Sequence, residues 1–284
     1  MTTSPPQPSS RVALLDTTIQ VDRMKTGVRA RQIESVLKTF DLKVTTSIAL
    51  LEFKATVIQE CVFLHNLLRR VGRLSAVQDL IVERKYRQTS LRTHILHNWV
   101  NVHASSFATP EDEDSRLARK ARQNLENIIP RLYDWFIRSV DEVLRDPINC
   151  TRADERPVKK RVAFETNLPV CRRGQNKFCS IEEFIRQNGA GLGAGLRAHL
   201  GKTADQEGST QLVRACELFE SVQQDPKCEL SNGDCRRGGD CLIALEAEGH
   251  ATHALSTNAR EWDTLSKLMG FEFVRVDYPE EKTR

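Results

Sequence analysis

Short apolar runs near both ends of this 284-residue sequence are followed by acidic residues, and this pattern restricts the possible folds more than any other feature. Residues 11–16 read Arg-Val-Ala-Leu-Leu-Asp, and residues 252–256 read Thr-His-Ala-Leu-Ser, with Glu261 five residues further on. Such runs are too short and too apolar for amphipathic helices and predict buried strands. Solubility does not explain an acid directly after a buried strand, so Asp16 is the first candidate functional residue.

Strand-like and helix-like segments alternate at both ends of the chain, whereas the middle is mostly helix-like. The strands are predicted at 11–16, 43–47, 252–256 and 271–276. This order favours a three-layer α/β fold, in which helices flank a parallel sheet and a large, mainly helical insertion interrupts the chain. We therefore expect a disordered leader at 1–10, a core at 11–60 and 205–277, an insertion at 61–204, and a tail at 278–284.

The predicted insertion contains several helices separated by breaking signals. Apolar spacing predicts helices over 48–71, 74–83, 90–102 and 115–144, with a possible break at Pro130, which lacks the amide hydrogen of a helix interior. An acidic loop is expected at 105–114. A helix is expected to resume near Ile181, and the glycine-rich run at 189–195 is expected to interrupt it.

Composition restricts the class of protein without naming a function. Hydrophobic residues make up 39% of the chain and charged residues 28%, which supports a globular core. A net charge of +4 is too small to indicate nucleic-acid binding by itself. No apolar run reaches the ~18 residues of a membrane span, and the N-terminus has no features of a secretory signal. We therefore expect a cytoplasmic protein with no membrane partner.

Four acidic residues lie where a strand is predicted to end or a helix to begin, namely Asp16, Glu52, Asp240 and Glu261. Hard divalent cations prefer oxygen ligands, and such cations among carboxylates support phosphodiester hydrolysis. Each residue also has a structural explanation. Asn258 with Glu261 matches a helix-capping pattern, Asp240 suits a helix N-terminus, and Glu52 suits an ordinary surface position.

Four motifs occur in the order typical of one family. They are Leu14-Leu-Asp16-Thr-Thr, Ala49-Leu-Leu-Glu52-Phe, Gly239-Asp240-x-Leu-Ile-Ala244 and Ser256-Thr-Asn258-x-x-Glu261-Trp262. Together they resemble a PIN domain, and they are most similar to the ribonucleases of bacterial toxin–antitoxin pairs. The likeness covers residues 11–60 and 205–277. The insertion between the second and third motifs is longer than in the small toxins, and the fourth acidic position is Glu instead of the commoner Asp.

This resemblance implies a metal-dependent endoribonuclease that binds one or two Mg²⁺ or Mn²⁺ ions. Asp16, Glu52, Asp240 and Glu261 would be the catalytic and metal-binding set, and a water activated by the metal would attack the phosphate. Asp263 could replace Glu261 as a ligand. Thr257 and Asn258 would position water or phosphate. The resemblance also implies RNA as substrate and an antitoxin as a protein partner.

Two other functions remain open at the level of sequence. A PIN-like module can lose catalysis and bind nucleic acid or protein, and a related nuclease can cut DNA, such as a flap. Arg236 and Arg237 stand just before Asp240 and could hold phosphates. Four cysteines could supply a zinc site, although their spacings are wider than usual for structural zinc: Cys171, Cys179, Cys228 and Cys235.

Overall fold

The computed structural model describes only part of the chain. The described residues are 10–24, 27–83, 89–96, 111–145, 148, 150, 156–165, 179–202, 210–231 and 234–276. The tail predicted at 278–284 and all but the last residue of the predicted leader lie outside them. Of Arg236, only the backbone is described.

Four strands from the two ends of the chain and β3 from its middle form a five-stranded parallel sheet within the described residues. Its order is β3–β2–β1–β6–β7, and a separate antiparallel hairpin joins β4 to β5. The predicted α/β class with a parallel sheet flanked by helices is confirmed. The strands are β1 (Val12–Leu15), β2 (Leu42–Thr46), β3 (Glu142–Leu144), β4 (Val158–Lys160), β5 (Ala163–Glu165), β6 (His253–Ser256) and β7 (Glu272–Arg275).

Helices connect these strands and make up most of the remaining described residues. A π-helical turn at Lys54–Ile58 continues directly from α3 into α4. None of the helices in the described part of the chain has both the length and the hydropathy of a membrane span. The helices are α1 (Thr17–Met24), α2 (Val28–Leu37), α3 (Ser47–Phe53), α4 (Gln59–Val71), α5 (Leu74–Glu83), α6 (Thr89–His94), α7 (Glu111–Arg138), α8 (Ser180–Lys202), α9 (Thr210–Gln224), α10 (Asp234–Arg237), α11 (Gly239–Glu246) and α12 (Ala259–Met269).

The central strand β1 is covered on both of its faces. Successive side chains of a strand point to opposite faces, and Ala13, Leu14 and Leu15 are all fully buried. On one face, Ala13 and Leu15 pack with Ile19 and Ile33 from α1 and α2. Burial on both faces explains why β1 is a continuous apolar run and not an alternating one. Polar side chains can therefore reach solvent only beyond the ends of such a buried strand.

The chain divides into two compact units. The first contains described residues of 1–52, 139–153 and 171–284, and includes the whole parallel sheet. The second contains those of 53–138 and 154–170. Strand β3 and helix α8, which the sequence placed in the insertion at 61–204, therefore belong to the unit that contains the sheet.

The second unit is helical apart from the β4–β5 hairpin. Asn66 on α4 attaches the hairpin, because its side chain donates to the carbonyl of Phe164 at 2.9 Å and accepts from the Phe164 amide at 3.3 Å. Residues 105–110 of the acidic loop predicted at 105–114 lie outside the described residues, and the prediction is wrong for residues 111–114, which form the first turn of α7. There, Asp114 accepts the Leu74 and Ser75 amides at the start of α5.

Helix α7 also differs from its predicted limits. It continues through Pro130, so the possible break there does not occur. Buried Leu125, Ile129, Leu132 and Phe136 maintain its apolar face on both sides of the proline, and such packing outweighs a local helix-breaking residue. The helix ends at Arg138, and 142–144, predicted as helix, form the sheet-edge strand β3.

Helix α8 is uninterrupted through the glycine-rich run, so the predicted interruption at 189–195 is wrong. A Cβ atom at Gly189 would lie 2.9 Å from the ring of Phe219 on α9, and one at Gly195 would lie 3.0 Å from Leu268 on α12. Both distances are shorter than ordinary van der Waals contact. The glycines therefore permit close packing between helices, and this packing stabilises a segment whose intrinsic helix propensity is low.

Candidate metal centre

Three acidic side chains meet at the carboxyl edge of the parallel sheet. Asp16 directly follows β1, Glu52 lies on α3 after β2, and Asp240 is the second residue of α11. One carboxylate oxygen from each residue lies within 4.8 Å of the others. The cluster belongs entirely to the first unit, although about 190 residues separate Glu52 from Asp240 in the chain.

Asp16 is held by hydroxyl and amide donors in a buried position. Its Oδ2 accepts hydrogen bonds from the hydroxyls of Thr18 and Ser256, both at 2.7 Å. Its Oδ1 accepts the Thr17 amide at 2.6 Å. Burial raises the pKa of Asp16, and these donors oppose that rise because they stabilise the ionised form. The surroundings therefore both orient the carboxylate and partly compensate its desolvation.

Glu52 occupies a space that only glycine leaves open. The Thr17 hydroxyl donates to Glu52 Oε2 at 2.8 Å, which connects the two acidic segments. Glu52 Oε1 lies directly against Gly239, where a Cβ atom would overlap it. Gly239 thus admits the carboxylate to a position beside Asp240, which is the next residue in the chain.

Asp240 is surrounded by the other carboxylates of the cluster. Burial first, and then the negative charges of Asp16, Glu52 and Glu261, raise its pKa well above the ordinary value. The side-chain amide of Asn258 opposes this effect by donating to Asp240 Oδ2 at 2.9 Å. Several buried carboxylates in one place repel each other, and either a proton or a cation relieves that repulsion.

Glu261 and Asp263 differ sharply in position, although both lie on α12. Glu261 is buried and raises the pKa of Asp240 through its charge, but it is outside the group of three. Asp263 is 59% exposed and pairs with Lys267 at 2.6 Å. Residues two apart on a helix point in different directions, so these acids cannot exchange roles. The placement therefore does not support Asp263 as a replacement for Glu261 in the ligand set.

Asn258 takes part in the cluster instead of capping its own helix. It occupies the N-cap position of α12, yet its side chain makes no capping hydrogen bond and donates to Asp240. Its backbone amide donates to the Ser256 hydroxyl at 2.9 Å, and the neighbouring Thr257 amide donates to the Thr18 hydroxyl at 3.3 Å. The loop after β6 is therefore bonded to the groups that hold Asp16.

None of the other predicted binding side chains that the structure describes belongs to the cluster of three. Arg237 is exposed and pairs with Asp234 at 3.1 Å, and the Arg236 side chain is not among the described groups. Cys171 also lies outside the described residues. Cys179 is buried, and Cys228 and Cys235 are half-buried. Within the described part of the chain, these three thiols do not converge as a set of metal ligands.

Sequence reasoning assigned no role to several residues that shape the site. The Thr17, Thr18 and Ser256 hydroxyls orient Asp16 and Glu52, and Gly239 gives Glu52 its space. The hydroxyl residues lie within the acidic motifs, which is the one signal by which they could have been found. The contact between Gly239 and Glu52 has no such signal, because it joins distant segments.

The donor set suits a hard divalent cation. Its ligand atoms are carboxylate oxygens, which Mg²⁺ and Mn²⁺ prefer, and they repel each other while no cation balances them. Searches against protein-family models, curated proteins and solved structures found no match. A functional assignment therefore rests on the residues and their geometry.

Proposed function

We propose that this chain is a metal-dependent nuclease of the PIN type, and specifically an endoribonuclease. The observation that carries this proposal is the convergence of Asp16, Glu52 and Asp240 at the carboxyl edge of a parallel sheet. Ligands of open α/β sheets bind at this edge. The four ordered motifs that resemble PIN nucleases favour RNA over DNA as the substrate.

Asp16, Glu52 and Asp240 would hold the cation, with Mg²⁺ or Mn²⁺ the expected ions. Bound there, the ion supplies charge neutralisation for the phosphate and lowers the pKa of water, which are the requirements of phosphodiester hydrolysis. Buried Glu261 adds negative charge beside Asp240 and could contribute to a second cation position. The protein needs no side-chain nucleophile for this reaction.

The surrounding polar residues keep the carboxylates in place for this chemistry. Thr18 and Ser256 orient Asp16, Thr17 orients Glu52, and Asn258 orients Asp240. The bonds to Asp16 and Asp240 also favour the ionised forms of these carboxylates, which are the forms that bind a cation. The site is therefore organised before any ligand arrives.

The test compares cleavage of end-labelled RNA and DNA oligonucleotides with Mg²⁺, with Mn²⁺ and with EDTA. We expect RNA cleavage with either ion and none with EDTA. Asp16→Asn and Asp240→Asn should each reduce cleavage at least a hundredfold, because each removes one charge from the cation site. The matched control is Asp79→Asn, which changes an exposed acid on α5 and should cleave like the wild type.

Each remaining function predicts a different result in this assay. Cleavage of DNA but not RNA would assign a DNA nuclease, and binding of either nucleic acid without cleavage would indicate a non-catalytic module. RNA cleavage that persists unchanged in the purified Asp16→Asn, Asp240→Asn double variant would contradict the proposed site.

A further inference from the structure

Glu246, at the last position of α11, is a buried acid that lies outside the cluster of three. It is only 1% exposed. Its Oε1 accepts the Ser47 hydroxyl at 2.6 Å, and its Oε2 accepts the Ile48 amide at 3.2 Å. Ser47 and Ile48 are the first two residues of α3, the helix that carries Glu52. Glu246 therefore binds the N-terminus of α3 from a segment about 200 residues away in the chain.

A local cap for α3 already exists without Glu246. The Thr46 hydroxyl accepts the Ala49 amide at 3.1 Å, which is the usual N-cap hydrogen bond. Burying an acid to repeat this function is costly, since burial raises the pKa of Glu246 to about 7 despite its donors. What Glu246 adds is a connection between α3 and α11, which a local cap cannot provide.

The two helices are joined at both ends. At one end, Glu246 of α11 binds the start of α3, and at the other, Glu52 of α3 lies against Gly239 at the start of α11. The helices are therefore antiparallel, and at 1.5 Å per residue Glu52 lies about 8 Å along α3 from Ser47. Asp240, on the same short α11, is fixed relative to both contacts.

On the basis of the proposed metal site, we propose that Glu246 is a positioning residue that ties α3 to α11 and so holds Glu52 beside Asp240. It does not touch the cation. Its effect on cation binding passes through Glu52, because Glu52 is the member of the cluster that α3 carries. Residues that orient metal ligands in this way typically change metal affinity about 10- to 100-fold when they are replaced.

The test is a double-mutant cycle on the full chain, with Mn²⁺ binding measured by electron paramagnetic resonance of the free ion. We expect Glu246→Ala to weaken Mn²⁺ binding about tenfold in the wild-type background. In the Glu52→Gln background, the same change should have no further effect, because the ligand that Glu246 positions is already lost. Glu248→Ala, an exposed acid two residues later, is the matched control and should bind like the wild type.

Equal weakening by Glu246→Ala in both backgrounds would overturn the inference, since it would show a general loss of structure. Unchanged binding in the wild-type background would overturn it as well. If the wild type binds Mn²⁺ and Asp16→Asn does not, either result contradicts the role of Glu246 but not the proposed metal site. A wild-type chain that binds no Mn²⁺, or an Asp16→Asn variant that binds it equally well, would overturn the site and the inference together.

A second pair of variants covers the possibility that Glu246→Ala does not fold, as judged by circular dichroism. Ser47→Ala removes only the hydroxyl donor and leaves the Ile48 amide bound to Glu246. Glu246→Gln keeps one acceptor oxygen in place. We expect each to weaken Mn²⁺ binding about threefold, with the loss again absent in the Glu52→Gln background. Unchanged affinity in both variants would overturn the inference.

Discussion

Gly239 and Glu52 are in direct contact, and the carboxylate of Glu52 occupies the space where any other residue at position 239 would place its Cβ atom. The contact joins the start of α11 to the last turn of α3. It brings Glu52 next to Asp240, and thereby turns two acids that are distant in the chain into neighbours in one cluster.

Gly239→Ala should displace Glu52 and weaken Mn²⁺ binding at least tenfold, because the added methyl group and the carboxylate cannot share one position. Isothermal titration of Mn²⁺ into the purified protein measures the effect. Gly191→Ala is the control, since a Cβ atom there meets nothing within 4 Å in the helix α8. The control should bind normally and gain up to about 1 kcal/mol in unfolding free energy. Normal binding by Gly239→Ala would show that cation binding does not require Glu52 in this position against Gly239.

Asn258→Ala should move Mn²⁺ binding to higher pH. The Asn258 amide lowers the pKa of Asp240, so its removal makes Asp240 hold its proton to higher pH. The cation competes with that proton, and the pH of half-maximal binding must therefore rise. Binding at a saturating pH should change much less. A profile that keeps its midpoint and only loses amplitude would contradict this role.

Glu246→Gln should flatten the pH dependence of stability. The pKa of Glu246 is about 7 in the folded protein, against 4.5 as its ordinary value. Between these values the folded state binds more protons than the unfolded state, so the wild type loses stability as pH rises. The unfolding free energy of the variant minus that of the wild type, measured by urea unfolding in EDTA, should increase by about 2–3 kcal/mol from pH 5 to pH 8.

This expectation would be contradicted if the unfolding free energy of Glu246→Gln fell with rising pH in parallel with that of the wild type. The control is again an exposed acid on the same segment, Glu248→Gln, which should follow the wild-type curve. Both measurements use metal-free protein, so that cation binding does not add to the unfolding free energy.

Glu261→Gln and Asp263→Asn should separate the two acids on α12. Glu261 is buried near Asp240, and its neutralisation should lower the pKa of Asp240 and reduce RNA cleavage at least tenfold. Asp263 is exposed and paired with Lys267, so Asp263→Asn should cleave within about twofold of the wild type. A loss of RNA cleavage in Asp263→Asn but not in Glu261→Gln would show that Asp263, and not Glu261, acts at the site.

Several elements of the fold were predictable because their signals are local. The apolar runs that form β1 and β6, and the helical spacing of α4 and α5, are properties of a few consecutive residues. The predicted break at Pro130 and the predicted interruption at 189–195 were wrong for a common reason. Both relied on local propensity, and packing against other segments outweighs it.

The sequence by itself determined which acids end strands or begin helices, since hydrophobic periodicity places Asp16 after β1 and Asp240 at the start of α11. Only the tertiary structure decided how these acids are held. The contact of Glu52 with Gly239, the bond from Asn258 to Asp240 and the capping of α3 by Glu246 each join segments that meet only on folding. Local patterns carry no record of such partners, because burial and distance are set by the whole chain.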